Sequence, residues 1–193
     1  MESKVYSRRA VAICLGALPA GLTFAGPALT AAESPPAMTQ IGGKGISHTT
    51  AAIHQEVFFR ANRKRVYAAL TDAQRFVKVM RQSDAITLLT APGAQPAKIS
   101  RSVGGSFLLF GGYISGQQVE LLADERIVQV WRTAGWAPGE YSIARFALAD
   151  EGSGTRLTFD QKGFPESEAE HLAQGWYAHY WDPLEKYLAQ DGP

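Results

Sequence analysis

From Gly104 onward the chain alternates short patterned runs with tight turns and then closes on one long aromatic-rich stretch, an order that few folds satisfy. Runs at 107–110, 113–122, 127–132, 141–148 and 155–161 are separated by Gly111-Gly112, Asp124-Glu125, Ala137-Pro138-Gly139 and Glu151-Gly152-Ser153-Gly154. Connections this short join antiparallel neighbours, so the runs predict a meander of strands. Gly163-Phe164-Pro165 ends it. Ser167 and Glu170 then have the spacing of a capping box, and Leu172, Trp176, Tyr180, Leu184 and Leu188 recur at every fourth position. That spacing predicts an amphipathic helix of roughly 20 residues, long enough to span a small sheet. Pro183 falls inside it, where it lacks a donor and crowds the carbonyl of His179, so a kink is expected near Asp182.

Upstream, 53–59 alternates as a strand, and Asn62 opens a helical pattern with Val66, Tyr67 and Leu70 on one face. Thr71-Asp72 interrupts it and is placed to cap a second short helix containing Phe76, Val77 and Met80. Ile86-Thr87-Leu88-Leu89 is expected as a further strand before the Ala91-Pro92-Gly93 turn. The fold class expected is α+β: a curved antiparallel sheet with two short helices after the first strand and a long C-terminal helix closing a concave apolar space. Such a space is the default place for function in a small domain.

The first 50 residues have a different character. A charged head ending in Arg8-Arg9 precedes a moderately apolar stretch at 10–25, and small residues at Thr30-Ala31-Ala32 follow, the layout of a signal peptide over 1–32. Ser7-Arg8-Arg9-Ala10-Val11-Ala12 resembles a twin-arginine signal, which predicts a periplasmic or secreted protein. Gly16, Pro19 and Gly21 interrupt the stretch, so no stable membrane anchor is expected after cleavage. The single cysteine, Cys14, lies within it, leaving the mature chain with no thiol for a disulfide or metal site. Residues 33–49, with two prolines and three glycines, read as a flexible linker, and the folded domain is expected over 50–190. Beyond residue 32 lie 16 of the 19 basic residues and 17 of the 18 acidic ones. That balance carries no electrostatic footprint for nucleic acid.

Strand parity assigns faces. Val119 and Leu121 are expected on one inward face, Phe146 and Leu148 with Ala144 on another, and Phe159 with Leu157 on a third, all meeting Trp176 and Tyr180 of the helix. Phe107 and Leu109 belong to the same interior. Gln129 sits between Ile127 and Trp131 and is the candidate polar contact to a ligand. Trp131 and Trp136 complete an aromatic cluster that either lines a pocket or fills it.

Several segments together carry a family resemblance. Gly-Gly-Ser-Phe at 104–107, Ile-Val-Gln-Val-Trp-Arg at 127–132, Trp136 with Pro138-Gly139, Gly-Thr-Arg-Leu-Thr-Phe at 154–159, Gly-Phe-Pro at 163–165, and Gly175-Trp176 with Leu184 resemble the activator of Hsp90 ATPase domain. More broadly they resemble the START and Bet v 1-like helix-grip superfamily, over about 50–189. The resemblance implies a helix-grip fold with a cavity between bent sheet and C-terminal helix. It implies no single activity, because members bind hydrophobic ligands, assist a chaperone or catalyse cyclase-type reactions.

Signals for catalysis and cofactors are sparse. His48, His54, His171 and His179 share no ligand spacing, and Glu168-x-x-His171 lacks the partner helices of a di-iron site. Gly111-Gly112 with Gly116 reads as a hairpin turn rather than a phosphate loop, and no Ser lies in a nucleophile elbow. No cofactor is expected. The favoured function is binding of a small hydrophobic or amphipathic ligand. The alternatives are a cyclase or dehydratase-type enzyme, which needs an acid or base such as Tyr141, Arg145 or Asp160 turned inward, and a protein-interaction module anchored on exposed Tyr177 and Trp181, its partner unspecified.

Overall fold

A computed structural model describes residues 51–190; the expected export signal and linker lie outside the described residues. Seven antiparallel strands form one curved sheet: β1 (Ala51–Phe59), β2 (Lys98–Ile99), β3 (Ser106–Leu109), β4 (Ile114–Leu122), β5 (Arg126–Thr133), β6 (Ser142–Glu151) and β7 (Gly154–Phe164). Their order is β1-β7-β6-β5-β4-β3-β2. From β3 to β7 each strand pairs with the next, the meander expected from the short turns, and β1 returns to pair with β7.

The two short helices are where the capping residues put them. Helix α1 (Arg63–Thr71) starts where the Asn62 side chain accepts from the Arg65 N–H at 3.0 Å. Asp72 both ends it, donating its N–H to Ala68, and starts α2 (Ala73–Met80), accepting from the Arg75 N–H at 2.9 Å. One residue thus satisfies orphan groups of two helices and sets the bend between them.

The 86–89 run is not a strand. It forms helix α3 (Ile86–Thr90), because local groups outbid the β-branched propensity: the Ile86, Thr87 and Leu88 N–H groups bond the carbonyls of Ser83, Asp84 and Ala85, and the Thr87 hydroxyl also bonds Asp84. None of its residues is buried.

The C-terminal stretch is helical throughout but in three parts: α4 (Ala169–Trp176), a π-turn (Tyr177–Trp181) and α5 (Asp182–Gln190). All five residues of the every-fourth stripe are buried. Positions spaced by four wind steadily around a helix of 3.6 residues per turn; the wider π-turn takes up that drift. It also resolves the proline. The Asp182 N–H reaches back five residues to Tyr177, and Pro183 becomes the second residue of a new helical segment, where a missing donor costs little. The break expected near Asp182 is therefore this π-turn. The expected capping box is not formed: Pro165 launches a 3₁₀ turn at Glu166–Glu168, so Ser167 lies inside a turn and α4 begins with no side-chain cap.

Strand β4 corrects the face assigned to Val119. The register slips between Gln118 and Glu120, so Val119 has no partner across the ladder and points outward, 46% exposed, whereas Leu121 after the bulge returns to the interior and packs on the core. Gly116, opposite Phe107, lets that ring lie flat on the sheet; an added Cβ would collide with the Val130 carbonyl and the Phe107 ring.

Candidate functional site

The space between sheet and helix is largely filled by rings. Phe146, Phe159, Trp176 and Trp181 pack with centroids 4.2–6.2 Å apart, and Trp131 bridges Trp136 at 5.5 Å to Trp176 at 5.6 Å. Trp181 is 1% exposed, because the π-turn rotates it inward to stack at 18° on Trp176. It is therefore no surface anchor, which removes it from the protein-docking reading; Tyr177 remains exposed.

Buried glutamines fix these rings. Gln161 accepts from the Trp176 indole N–H at 2.7 Å and donates to the Ser142 hydroxyl at 2.8 Å, which donates onward to the Trp131 carbonyl at 3.1 Å. Gln55 accepts from the Trp181 indole at 2.6 Å and donates to the Ala173 carbonyl at 2.8 Å. Two strands thus hold the helix through complete amide hydrogen bonds, which fixes its rotation. Gln129 is inward and buried, but its amide donates to Gln118, which in turn donates to the Ser100 carbonyl. This polar pair serves the β4–β5 ladder away from the open end.

What is left open is a cleft of about 110 Å³ where α4 and the π-turn cross the Ile114–Thr133 end of the β4–β5 pair. Trp131, Thr133 and Ile114 form its sheet side, Leu172, Gly175, Trp176 and Tyr180 its helix side, and Phe110, Leu88 and Tyr113 the far wall, with His171 and His179 at the lip. Phe110 holds a left-handed φ of 53°, costly for a bulky residue, and packs edge-on to Phe76 at 5.7 Å and against Tyr180 at 5.4 Å.

Among the described residues, three buried side-chain polar atoms have no hydrogen-bond partner: Trp131 Nε1, Trp136 Nε1 and Tyr180 Oη. All belong to this one cluster of rings, and two of the three residues line the cleft. Burial pushes the Tyr180 hydroxyl well above the usual phenol range; the Trp131 indole N–H opposes that shift without satisfying either group. Tyr180 therefore stays protonated across all physiological pH.

Of the residues expected to line a cavity, Trp131, Trp176 and Tyr180 do so. Phe107, Leu109, Trp136, Phe146, Leu148 and Phe159 are buried packing, Gln129 is held in the glutamine pair, Leu121 is only partly buried, and Val119 is outside. Of the inward-turned acids and bases considered, Arg145 and Asp160 pair with each other on the exposed side at 3.4 Å, His54 adding a 2.7 Å contact to Asp160, and Tyr141 is exposed under Arg132. Sequence reasoning missed the other nine lining residues: Leu88, Phe110, Tyr113, Ile114 and Thr133 on one side, His171, Leu172, Gly175 and His179 on the helix. Leu88 was assigned to a strand and Phe110 to the end of one; the glycine pair after Phe110 was the signal that the chain turns sharply there.

Comparison with known proteins agrees with this architecture. Over 155 residues the chain is 24% identical to the human activator of 90 kDa heat shock protein ATPase homolog 1, covering 80% of this chain and 42% of that protein. It is 24% identical over 144 residues to the mouse homolog 2, covering 75% and 40%. The chain thus spans about two-fifths of the curated relatives it matches. Among solved structures it resembles an Hsp90 activator from Plasmodium falciparum, with a TM-score of 0.62 at 21% identity over 72% of this chain and 96% of that one. It also resembles DynU16 from the dynemicin biosynthetic locus, with a TM-score of 0.58 at 21% identity over 74% and 49%. Residues 60–189, more than half of the chain, match the family model described as activator of Hsp90 ATPase homolog 1-like protein, and the chain belongs to that family.

Proposed function

We propose that this is an exported helix-grip domain that binds a small, compact amphipathic molecule in the cleft between the Ile114–Thr133 end of the β4–β5 pair and the C-terminal helix. The observation that carries the reading is the half-open apolar cleft with two unpartnered polar groups among its lining residues. Its volume excludes long lipids: ligand sites for drug-sized molecules run to about 300–1,000 Å³, while a dry engineered cavity of about 150 Å³ accepts benzene. Ligands of one ring, with a substituent reaching the lip, match the space. The test is Gly175→Leu. The glycine has no close neighbour, a Cβ there meeting only His179 Cδ2 at 4.0 Å, so the larger side chain projects into the cleft without disturbing the helix backbone. Calorimetric or fluorescence titration with a one-ring probe should show binding to the parent and a loss of at least tenfold in the variant; equal binding by both would place the ligand elsewhere.

The export proposal rests on Arg8-Arg9 and the apolar stretch after them. An Arg8→Lys, Arg9→Lys variant should accumulate unprocessed; unchanged export would remove the twin-arginine route.

A second reading, docking to a protein, is favoured by the likeness to activators of 90 kDa heat shock protein ATPase and by exposed Val119 and Ile143. Addition of the protein to an Hsp90-class chaperone should raise its ATPase rate under this reading, and no change in rate would count against it.

A further inference from the structure

We infer that the cleft selects ligands whose polar end is a hydrogen-bond acceptor with no donor, a carbonyl or ether oxygen carried on a single aromatic ring, and that Trp131 and Tyr180 are the residues that read it. This rests on the ligand-binding reading above and names the substrate class for the same site.

An indole N–H donates and never accepts; a phenol hydroxyl does both, but its proton must go somewhere. Trp131 and Tyr180 are 3% and 6% exposed, and neither Trp131 Nε1 nor Tyr180 Oη has a partner. In the same ring cluster Trp176 and Trp181 each have a buried glutamine placed to accept from them, while Trp136, edge-on to Trp131, shares the unpaired state. The fold therefore supplies acceptors at the Trp176–Trp181 part of the cluster and none at the Trp131–Trp136–Tyr180 part, two of whose three residues line the cleft. Buried N–H and O–H groups left unpaired cost free energy, so their clustering beside an open space calls for an explanation. A guest oxygen accepting from both supplies one. A guest ammonium could donate only to the Tyr180 oxygen and would leave the Trp131 N–H unpaired.

Both atoms are covered in the free protein, so the guest must displace part of the wall. Helix α3 is that part. It has no buried residue and no side-chain cap, and its Leu88, 40% exposed, lines the cleft, whereas Ile114, Trp131 and Thr133 are anchored in the sheet and Leu172, Trp176 and Tyr180 in the glutamine-braced helix. Displacing Leu88 exposes the Phe110, Tyr180 and Trp131 rings, on which an aromatic guest packs at little cost in rigid structure.

The experiment compares three probes of nearly one shape: acetophenone, ethylbenzene and the 1-phenylethylammonium cation. Binding to the purified domain is measured by titration at pH 7, for the parent, Tyr180→Phe and Trp131→Phe. Both variants keep a ring in place and delete only a donor or narrow an indole, and circular dichroism confirms that each is folded. The parent should bind acetophenone about tenfold more tightly than ethylbenzene, with the cation weakest. Tyr180→Phe should bring acetophenone down to the level of ethylbenzene while leaving ethylbenzene unchanged. Ethylbenzene binding as tightly as acetophenone in all three proteins would overturn the acceptor inference and leave the ligand-binding reading standing. No binding of any probe would overturn both.

Discussion

Tyr180 sits where packing and hydrogen bonding pull apart: its ring contacts Trp176 at 4.2 Å, Phe110 at 5.4 Å and Phe76 at 5.5 Å, while its hydroxyl is buried and unpaired. The pH consequence follows from burial. Its folded pKa is raised above the ordinary 10.0, chiefly by desolvation, so above that pH the unfolded chain loses the proton and the folded chain keeps it. The unfolded state then binds fewer protons, and stability falls as pH rises beyond about 10. Tyr67 is shifted in the same direction, again by burial first. Urea unfolding followed between pH 8 and 11 should show this decline, and Tyr180→Phe should flatten it in part, with the Tyr67 contribution remaining. An identical slope in parent and variant would mean that the hydroxyl is hydrated in the folded protein.

At the scale of elements, the helix is held by two glutamines rather than by shape alone. Gln161→Leu keeps the volume but strands the Trp176 indole and takes a donor from Ser142, two buried polar groups at once. Stranding such groups costs about 1–3 kcal/mol each, so an unfolding free energy lowered by less than about 1 kcal/mol would show that the brace carries no weight. This element scale is also where the sequence was most and least readable. The turns, the Asn62 and Asp72 caps and the every-fourth apolar stripe are local signals, and they place α1, α2, the meander and the buried helix face correctly. A bulge at Val119 and a π-turn at Tyr177–Trp181 each insert one residue into a period, and nothing local announces them. The faces assigned at these insertions were wrong, Val119 turning out and Trp181 turning in, while Leu121, Leu184 and Leu188 beyond them keep the expected side. The ring cluster was legible as composition, but which of its members face open space depends on Phe110 bending to a positive φ, a tertiary outcome.

For the whole molecule, the four tryptophans report on one thing, since Trp131 and Trp136 come from the sheet side, Trp176 and Trp181 from the helix, and all belong to the cluster that joins them. Helix and sheet share this cluster and the glutamine bonds across it, so neither can leave without exposing the indoles of both. The described domain should therefore unfold in one transition, with the red shift of tryptophan emission and the loss of far-ultraviolet circular dichroism at the same midpoint. A helix that peeled away first would split the two midpoints and refute the brace as a unit. The filled interior also means that folding does not wait for a guest: the cleft is a small remainder at one end of a packed core. A ligand of the class proposed should then add to a stability already present, by about 2.7 kcal/mol at a hundred times its dissociation constant. It should raise both probes' midpoints together, because the rings it touches belong to the cluster that holds sheet to helix.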